Sequence, residues 1–263
     1  AITAARKFGS VGGRAGDDAG DEGGGSGGGT TLFPELTHAA FPVRGRPGAA
    51  VRIPSGYNAS RPLDVAIYFH GWTNCVTTVV SDVDHTCTAG QSVRPHSSLG
   101  SQFDSSGANA ILVVPQLKFL ERSGAPGSLG RAGGLEALLA EILGGVAAPH
   151  LGGARRVSDV RSVSLMSHSG GYYAMASVLR VGDLRAQVRE VCLLDSLYGD
   201  RPTFEGWVRG AQGRRLINIY TASGGTANNS RAQRAALSAV GDDTGRADPA
   251  GGYGAPIIVQ RSR

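Results

Sequence analysis

The sequence predicts a three-layer α/β/α sandwich built on a mostly parallel sheet. Three observations carry that prediction. Short apolar runs of strand length recur at Asp64 to Phe69, Ala110 to Val114, Val160 to Met166, Glu190 to Leu194, Leu216 to Tyr220 and Pro256 to Gln260. Segments with helical spacing alternate with them, the pattern of strands covered by helices on both faces. The run Ala110-Ile111-Leu112-Val113-Val114 is apolar without a break, as in a strand buried on both sides.

The 263 residues suit one α/β domain with a large core. Residues 1–31 are mostly Gly, Asp, Ala and Ser and include the run Gly23-Gly24-Gly25-Ser26-Gly27-Gly28-Gly29. Such a stretch buries too little apolar surface to fold, so it reads as a flexible linker ahead of a domain spanning 32–263. It looks like a tether from an export signal or anchor that the chain does not carry. Ala49 to Ile53 alternates as a strand does and closes at Pro54-Ser55-Gly56; Arg61-Pro62 marks a turn. The strand Asp64 to Phe69 runs into His70-Gly71-Trp72, and a polar stretch holding Cys75 and Cys87 follows. A helix is expected over Ser97 to Ser105, then the strand Ala110 to Val114, ended by Pro115-Gln116. Leu117 to Gly133 is Gly-rich and irregular, a candidate lid or rim. Helices are expected over Leu135 to Leu143, Tyr172 to Leu179, Thr203 to Ala211 and Ser230 to Val240, with strands between them.

Composition narrows the function. The formal net charge is +5, yet the charge is dispersed, and Lys7 and Lys118 are the only lysines. No arginine cluster is interleaved with aromatics, which argues against nucleic acid. There is no run of about 18 apolar residues, so no integral membrane segment is expected. Cys192 sits within an apolar run and reads as a small buried hydrophobe. Cys75 and Cys87 bracket a polar loop that a disulfide would clip; two unpaired thiols are the alternative. A disulfide suits an oxidising place: secreted, periplasmic or at the cell surface. No Cys/His spacing suggests a metal, and no cofactor is implied.

The chain is organised around Val163 to Met175, read as strand, sharp turn and helix with Ser169 at the apex. Ser167-His168-Ser169-Gly170-Gly171 follows the nucleophile-elbow pattern G-x-S-x-G, with Ser167 in the first glycine position and Gly171 in the second. Serine there fits at some steric cost. Ligands of such sheets bind at the carboxyl ends of the strands. His70-Gly71-Trp72, Ser169 and Asp195 all fall at such ends.

On Tyr68 to Trp72, Ser167 to Gly171 and Leu193-Leu194-Asp195, the chain resembles the α/β-hydrolase superfamily, in particular secreted esterases and lipase-like hydrolases. The likeness covers Ala49 to Arg263. It implies that Ser169 attacks a carboxylic ester and forms an acyl-enzyme. It also implies an oxyanion hole from the backbone N–H groups of Gly170 and Trp72; loss of one such donor costs about 3 kcal/mol in the barrier. Asp195 is the implied acid, placed one strand early as in pancreatic-type lipases, because the loop Thr221 to Asn229 has no carboxylate. The alternative is a strand-end Asp capping a turn. Asp200, Asp242 and Asp243 are lesser candidates.

The family order is nucleophile, acid, histidine. His38, His70, His85, His96, His150 and His168 all precede Asp195. His70 and His168 belong to the motifs, and His168 is expected to point away from the turn. His85 and His96 lie in the cysteine loop, within reach of the rim. The expectation is therefore that the full protein continues past Arg263 and supplies the histidine, and that this fragment is nearly inactive. The implied substrate is a small-molecule or lipid ester, with Trp72, Tyr172, Tyr173 and Tyr198 lining an apolar acyl pocket and Gln116 lining the cleft or capping a turn. The competing readings are a non-catalytic hydrolase-like binding domain, suggested by Ser167 and the missing histidine, and an acyltransferase or peptidase on the same fold.

Overall fold

The structure is a computed structural model that describes residues 28–221, 224–238, 243–246 and 257–260. The linker expectation therefore lies outside the described residues as far as residue 27, as do the expected helix end at Val240 and the candidate Asp242.

The strands are β1 (Thr30–Leu32), β2 (Ala49–Ile53), β3 (Leu63–Phe69), β4 (Ala110–Pro115), β5 (Val160–His168), β6 (Val188–Leu194), β7 (Arg215–Ile219), β8 (Asp243–Arg246) and β9 (Ile257–Gln260). They form one sheet in the order β1-β2-β4-β3-β5-β6-β7-β9-β8. The five central strands, from β4 through β7, run parallel. β2 is antiparallel to β4, and β9 to β7. The sheet is thus mostly parallel, with reversed strands toward its margins.

Strand periodicity divides the apolar runs between two cores. Val65, Ile67, Phe69, Ile111 and Val113 enter the larger cluster; Ala66, Tyr68, Ala110, Leu112 and Val114 enter the smaller one. This is why the central runs contain no polar break. The larger cluster is covered by α3 (Gly134–Glu141), α4 (Tyr172–Val181), α5 (Arg201–Arg209) and α6 (Ala227–Ser238), which contribute Leu138, Val178, Phe204 and Leu237. The smaller one is covered by α1 (Val76–Val80) and α2 (Leu99–Ser105), through Val79 and Phe103.

Three elements depart from the sequence expectation. Thr30 and Thr31, assigned to the linker, pair with Ile53 and Arg52 in β1; two β-branched residues beside Leu32 suit an edge strand. β8 was not expected. α1 forms within the polar stretch although Val-Thr-Thr-Val-Val is a poor helix sequence. Tertiary contacts hold it: Cys75, its N-cap residue, is bonded to Cys87, and the Val76 N–H donates to Gln116 Oε1 at 2.9 Å. The disulfide closes the loop as one sequence alternative required.

The stretch Leu117 to Gly133 is a packed wall rather than a lid. Leu117 and Leu129 are fully buried. The Thr73 N–H donates to the Glu121 carbonyl at 2.9 Å, and the Ser128 N–H to the Ala40 carbonyl at 2.9 Å. Gly127 has φ +55°, and a Cβ there would stand 1.9 Å from the Ala40 oxygen.

Candidate active site

The site lies where β3, β5 and β6 end side by side. At the end of β3, His70 is 1 % exposed. Its Nε2 accepts from the Leu117 N–H at 3.0 Å and lies 3.1 Å from Gln116 Nε2. Nε2 is therefore the acceptor, and Nδ1–H donates to the Gly71 carbonyl at 2.7 Å. Burial pushes the His70 pKa down to about 4, against the opposing pull of the Gly71 carbonyl. The ring is neutral and fastens the end of β3 to that of β4. Gln116 is also buried, held between His70 and the start of α1, and it borders a cavity with Cys75, Val76 and Phe119.

At the end of β5 the chain turns through the short 3₁₀ segment Ser169–Gly171 into α4. Ser169 has φ +51°. This is a left-handed conformation that a non-glycine residue adopts at a cost of order 1–3 kcal/mol. Thr73 and Asp195, at the ends of the flanking strands β3 and β6, also have positive φ, at 59° and 44°. Such strain concentrates at functional sites.

Two glycines make the turn sterically feasible. A Cβ on Gly171 would stand 2.2 Å from the Phe69 carbonyl oxygen, and one on Gly170 would stand 2.0 Å from Trp72 Nε1. The Trp72 indole thus lies on the Gly170 backbone, which brings together both residues expected to form the oxyanion hole. Trp72 itself is half-exposed. Gly124, from the packed wall, closes the other side: its Cβ would stand 1.8 Å from the Gly170 oxygen.

Ser167, in place of the first motif glycine, is fully buried and hydrogen-bonded. Ser196 Oγ donates to the Ser169 carbonyl at 2.8 Å, which leaves the Ser167 hydroxyl to donate to Ser196 Oγ, also at 2.8 Å. The side chain that glycine would lack is what braces the turn. Ser196 and Gly124 were not anticipated. Ser196 is flagged only by its place after a strand-end acid, and Gly124 is one of 41 glycines with nothing local to mark it.

Asp195 ends β6. Its Oδ1 accepts from the Thr221 N–H at 3.2 Å, from Thr221 Oγ1 at 3.1 Å and from Thr226 Oγ1. Burial raises its pKa, but the bonds from Thr226 and Thr221 and the charge of His168 lower it further, so the net direction is down. The group is an anion at neutral pH. Among the described residues its Oδ2 accepts no hydrogen bond.

His168 does not turn away from the site. A Cβ built on Gly71 would lie 3.2 Å from His168 Nδ1 and 3.1 Å from Ser169 Cβ, so both side chains border one small space. Desolvation lowers the His168 pKa, and the nearby Asp195 charge offsets only part of that. Of the others, His38 bonds to Glu141 and His96 to Asp84 through their rings, while His85 pairs with Arg94 and His150 with Ala147 through the backbone. Among the described residues, Ser169 Oγ has no hydrogen-bond partner.

Asp200 pairs with Arg180. Tyr172 stacks at tilted angles with Tyr198 and Tyr173, centroids 6.2 and 6.5 Å apart; Tyr173 and Tyr198 are 45 % and 44 % exposed. These tyrosines form a surface cluster rather than the lining of an enclosed acyl pocket. Cys192 is buried, and burial followed by the Glu190 charge pushes its thiol up to about 12. Among the described residues no group of three His, Cys, Asp or Glu could hold a metal ion, and no helix is long and apolar enough to cross a membrane.

No protein-family profile and no curated protein matches the chain. Solved structures similar to it include the feruloyl esterase module from Clostridium thermocellum complexed with sinapinate. The identity is 13 % over 81 % of this chain and 74 % of that one, with a TM-score of 0.49. Another is the ferulic acid esterase AmCE1/Fae1A from the anaerobic fungus Anaeromyces mucronatus, at 13 % identity over 68 % of this chain and 62 % of that one, with a TM-score of 0.33. Likenesses this distant say nothing about the reaction, which rests on the geometry above.

Proposed function

We propose that the protein is a secreted serine hydrolase of carboxylic esters. The observation that carries the reading is Ser169: a hydroxyl without a partner among the described residues, at φ +51° on a strand–turn–helix apex, with Trp72 seated on the Gly170 that follows it.

A serine hydroxyl at neutral pH needs a base to take its proton. In this reading Ser169 Oγ bonds to the ester carbonyl carbon as its proton passes to a histidine. The carbonyl oxygen becomes an oxyanion, and the backbone N–H groups of Gly170 and Trp72 donate to it. The C–O bond to the alcohol breaks as the histidine returns the proton to the leaving oxygen. Water then repeats the sequence to release the acid. Asp195 orients the imidazole through Oδ2, because Thr221 and Thr226 occupy Oδ1. The Cys75–Cys87 disulfide supports an oxidising location.

The test is covalent labelling with a fluorophosphonate probe on the protein expressed in full from its gene, together with p-nitrophenyl ester turnover. Labelling that disappears in Ser169→Ala is the expected result. An unlabelled, folded full protein would overturn the reading and favour a hydrolase-like binding domain.

A further inference from the structure

We propose that the cavity between the C-terminal end of α4 and the face of α5 carrying Thr203, Gly206 and Trp207 binds a phosphate group. This site is distinct from Ser169: α4 begins at the Ser169 turn and ends at the cavity, and the proposal does not depend on ester hydrolysis.

The cavity measures about 340 Å³, and Arg180, Arg185, Arg214, Asp183, Thr203 and Trp207 are among its lining residues. Its chemistry is one-sided. Arg214 is 4 % exposed, and its guanidinium makes one hydrogen bond, from Nη1 to the Trp207 carbonyl at 2.5 Å, while stacking 5.1 Å over the Trp207 ring. Among the described residues it has no carboxylate partner. A buried guanidinium normally has one, because unpaired buried charge is expensive. Burial, and then the charges of Arg185 and Arg189, hold the Arg214 pKa below its ordinary value. Arg185 and Arg189 are exposed and make no ion pair among the described residues. The Trp207 indole N–H is buried without an acceptor.

The nearby acids form no ion pair with Arg185, Arg189 or Arg214 among the described residues. Both oxygens of Asp183 are taken by the N–H groups of Gly133 and Leu135, at 2.8 and 3.0 Å. Asp200 is taken by Arg180. The C-terminal end of α4, Leu179 to Val181, faces the cavity, but it supplies only about half a negative charge. With the Asp183 charge it offsets about half of the three charges on Arg185, Arg189 and Arg214. A carboxylate would leave the remainder only partly balanced. A phosphate group carries about −1.5 to −2 at pH 7 and presents the oxygens that guanidinium forks bind in pairs.

The chain has two tryptophans, so in Trp72→Phe the emission of Trp207 reports on this cavity alone. Sodium phosphate, glycerol 3-phosphate and sodium chloride are titrated at matched ionic strength, with Tm measured in each. The expected result is a saturable emission change and a rise in Tm with either phosphate and none with chloride. Tighter binding of glycerol 3-phosphate assigns the cavity to an organic phosphate; equal binding assigns it to the free ion. Arg185→Gln with Arg189→Gln should weaken phosphate binding about tenfold, with Tm in chloride unchanged. Arg214→Met should abolish the response; if that variant does not fold, the exposed double variant decides. Ser169→Ala should bind phosphate as the parent does, which separates this site from the hydrolase reading. Equal responses to phosphate and chloride, or a double variant that binds like the parent, would overturn the proposal.

Discussion

His70 and Asp195 close the strands on either side of β5, and each is held by three polar contacts, yet one is neutral and the other charged. The difference lies in what faces them. His70 Nε2 meets N–H donors, from Leu117 and Gln116, that would collide with a second ring proton. Asp195 Oδ1 meets only donors, and donors reward negative charge. Burial works against ionisation in both. It prevails at His70, where a proton gains nothing, and loses at Asp195, where the hydrogen bonds outweigh it. One strand end is built to be inert and the other to hold charge beside Ser169.

The largest effect expected from breaking that contrast is on the charged side. Asp195→Asn retains an oxygen for Thr221 and Thr226 but removes the anion. In the proposed mechanism ester turnover should fall about 10⁴-fold, measured on folded protein by single-turnover kinetics. A fall below tenfold would reduce Asp195 to a turn cap.

His70→Ala comes next. It strands the buried Leu117 N–H and opens a void between β3 and β4. The loss should be about 3–5 kcal/mol in urea unfolding. A loss under about 1 kcal/mol would show that these bonds do not hold the strand ends together.

The two groups should also separate in pH. The His70 pKa is lowered on folding, so above about 6.5 the ring is neutral folded and unfolded, and its contribution is complete. As the pH falls from there to about 4, the unfolded ring takes a proton that the folded ring refuses. Stability should therefore drop through this window by about 3 kcal/mol. The Asp195 contribution is instead present above the unfolded carboxylate value and is lost only as the pH falls through its lowered folded value. Tm measured against pH should flatten between 4 and 6.5 in His70→Gln, and only at the acid extreme in Asp195→Asn. Identical profiles for both variants would contradict the contrast.

The smallest effect is at the turn between them. Ser167→Gly restores the motif glycine but removes the hydrogen bond to Ser196, and should cost about 1 kcal/mol in Tm-derived stability. Stabilisation instead would mean that the serine is a steric compromise and not a brace.

The central strands were legible because burial on both faces leaves unbroken apolar runs such as Ile111 to Val114, and a strand-end position marked Ser169 and Asp195. What stayed hidden depends on contacts distant in sequence. α1 forms against its own propensity because Gln116 and Cys87 secure its start. The order of Leu117 to Gly133 comes from backbone approach at Gly124 and Gly127, in a chain where glycine is too common to signal anything. His70 looked like part of a catalytic motif, and only the Leu117 amide identifies it as a fastening. Thr221 and Thr226 sit in a loop whose lack of carboxylates drew attention away from its hydroxyls.

The close approach of Gly124 to the Gly170 carbonyl has a practical consequence. With no room for a methyl group between them, mutagenesis libraries aimed at broadening substrate range must leave both positions as glycine. Diversity placed at Tyr173 and Tyr198, whose rings already face solvent, reaches the same mouth without disturbing its frame.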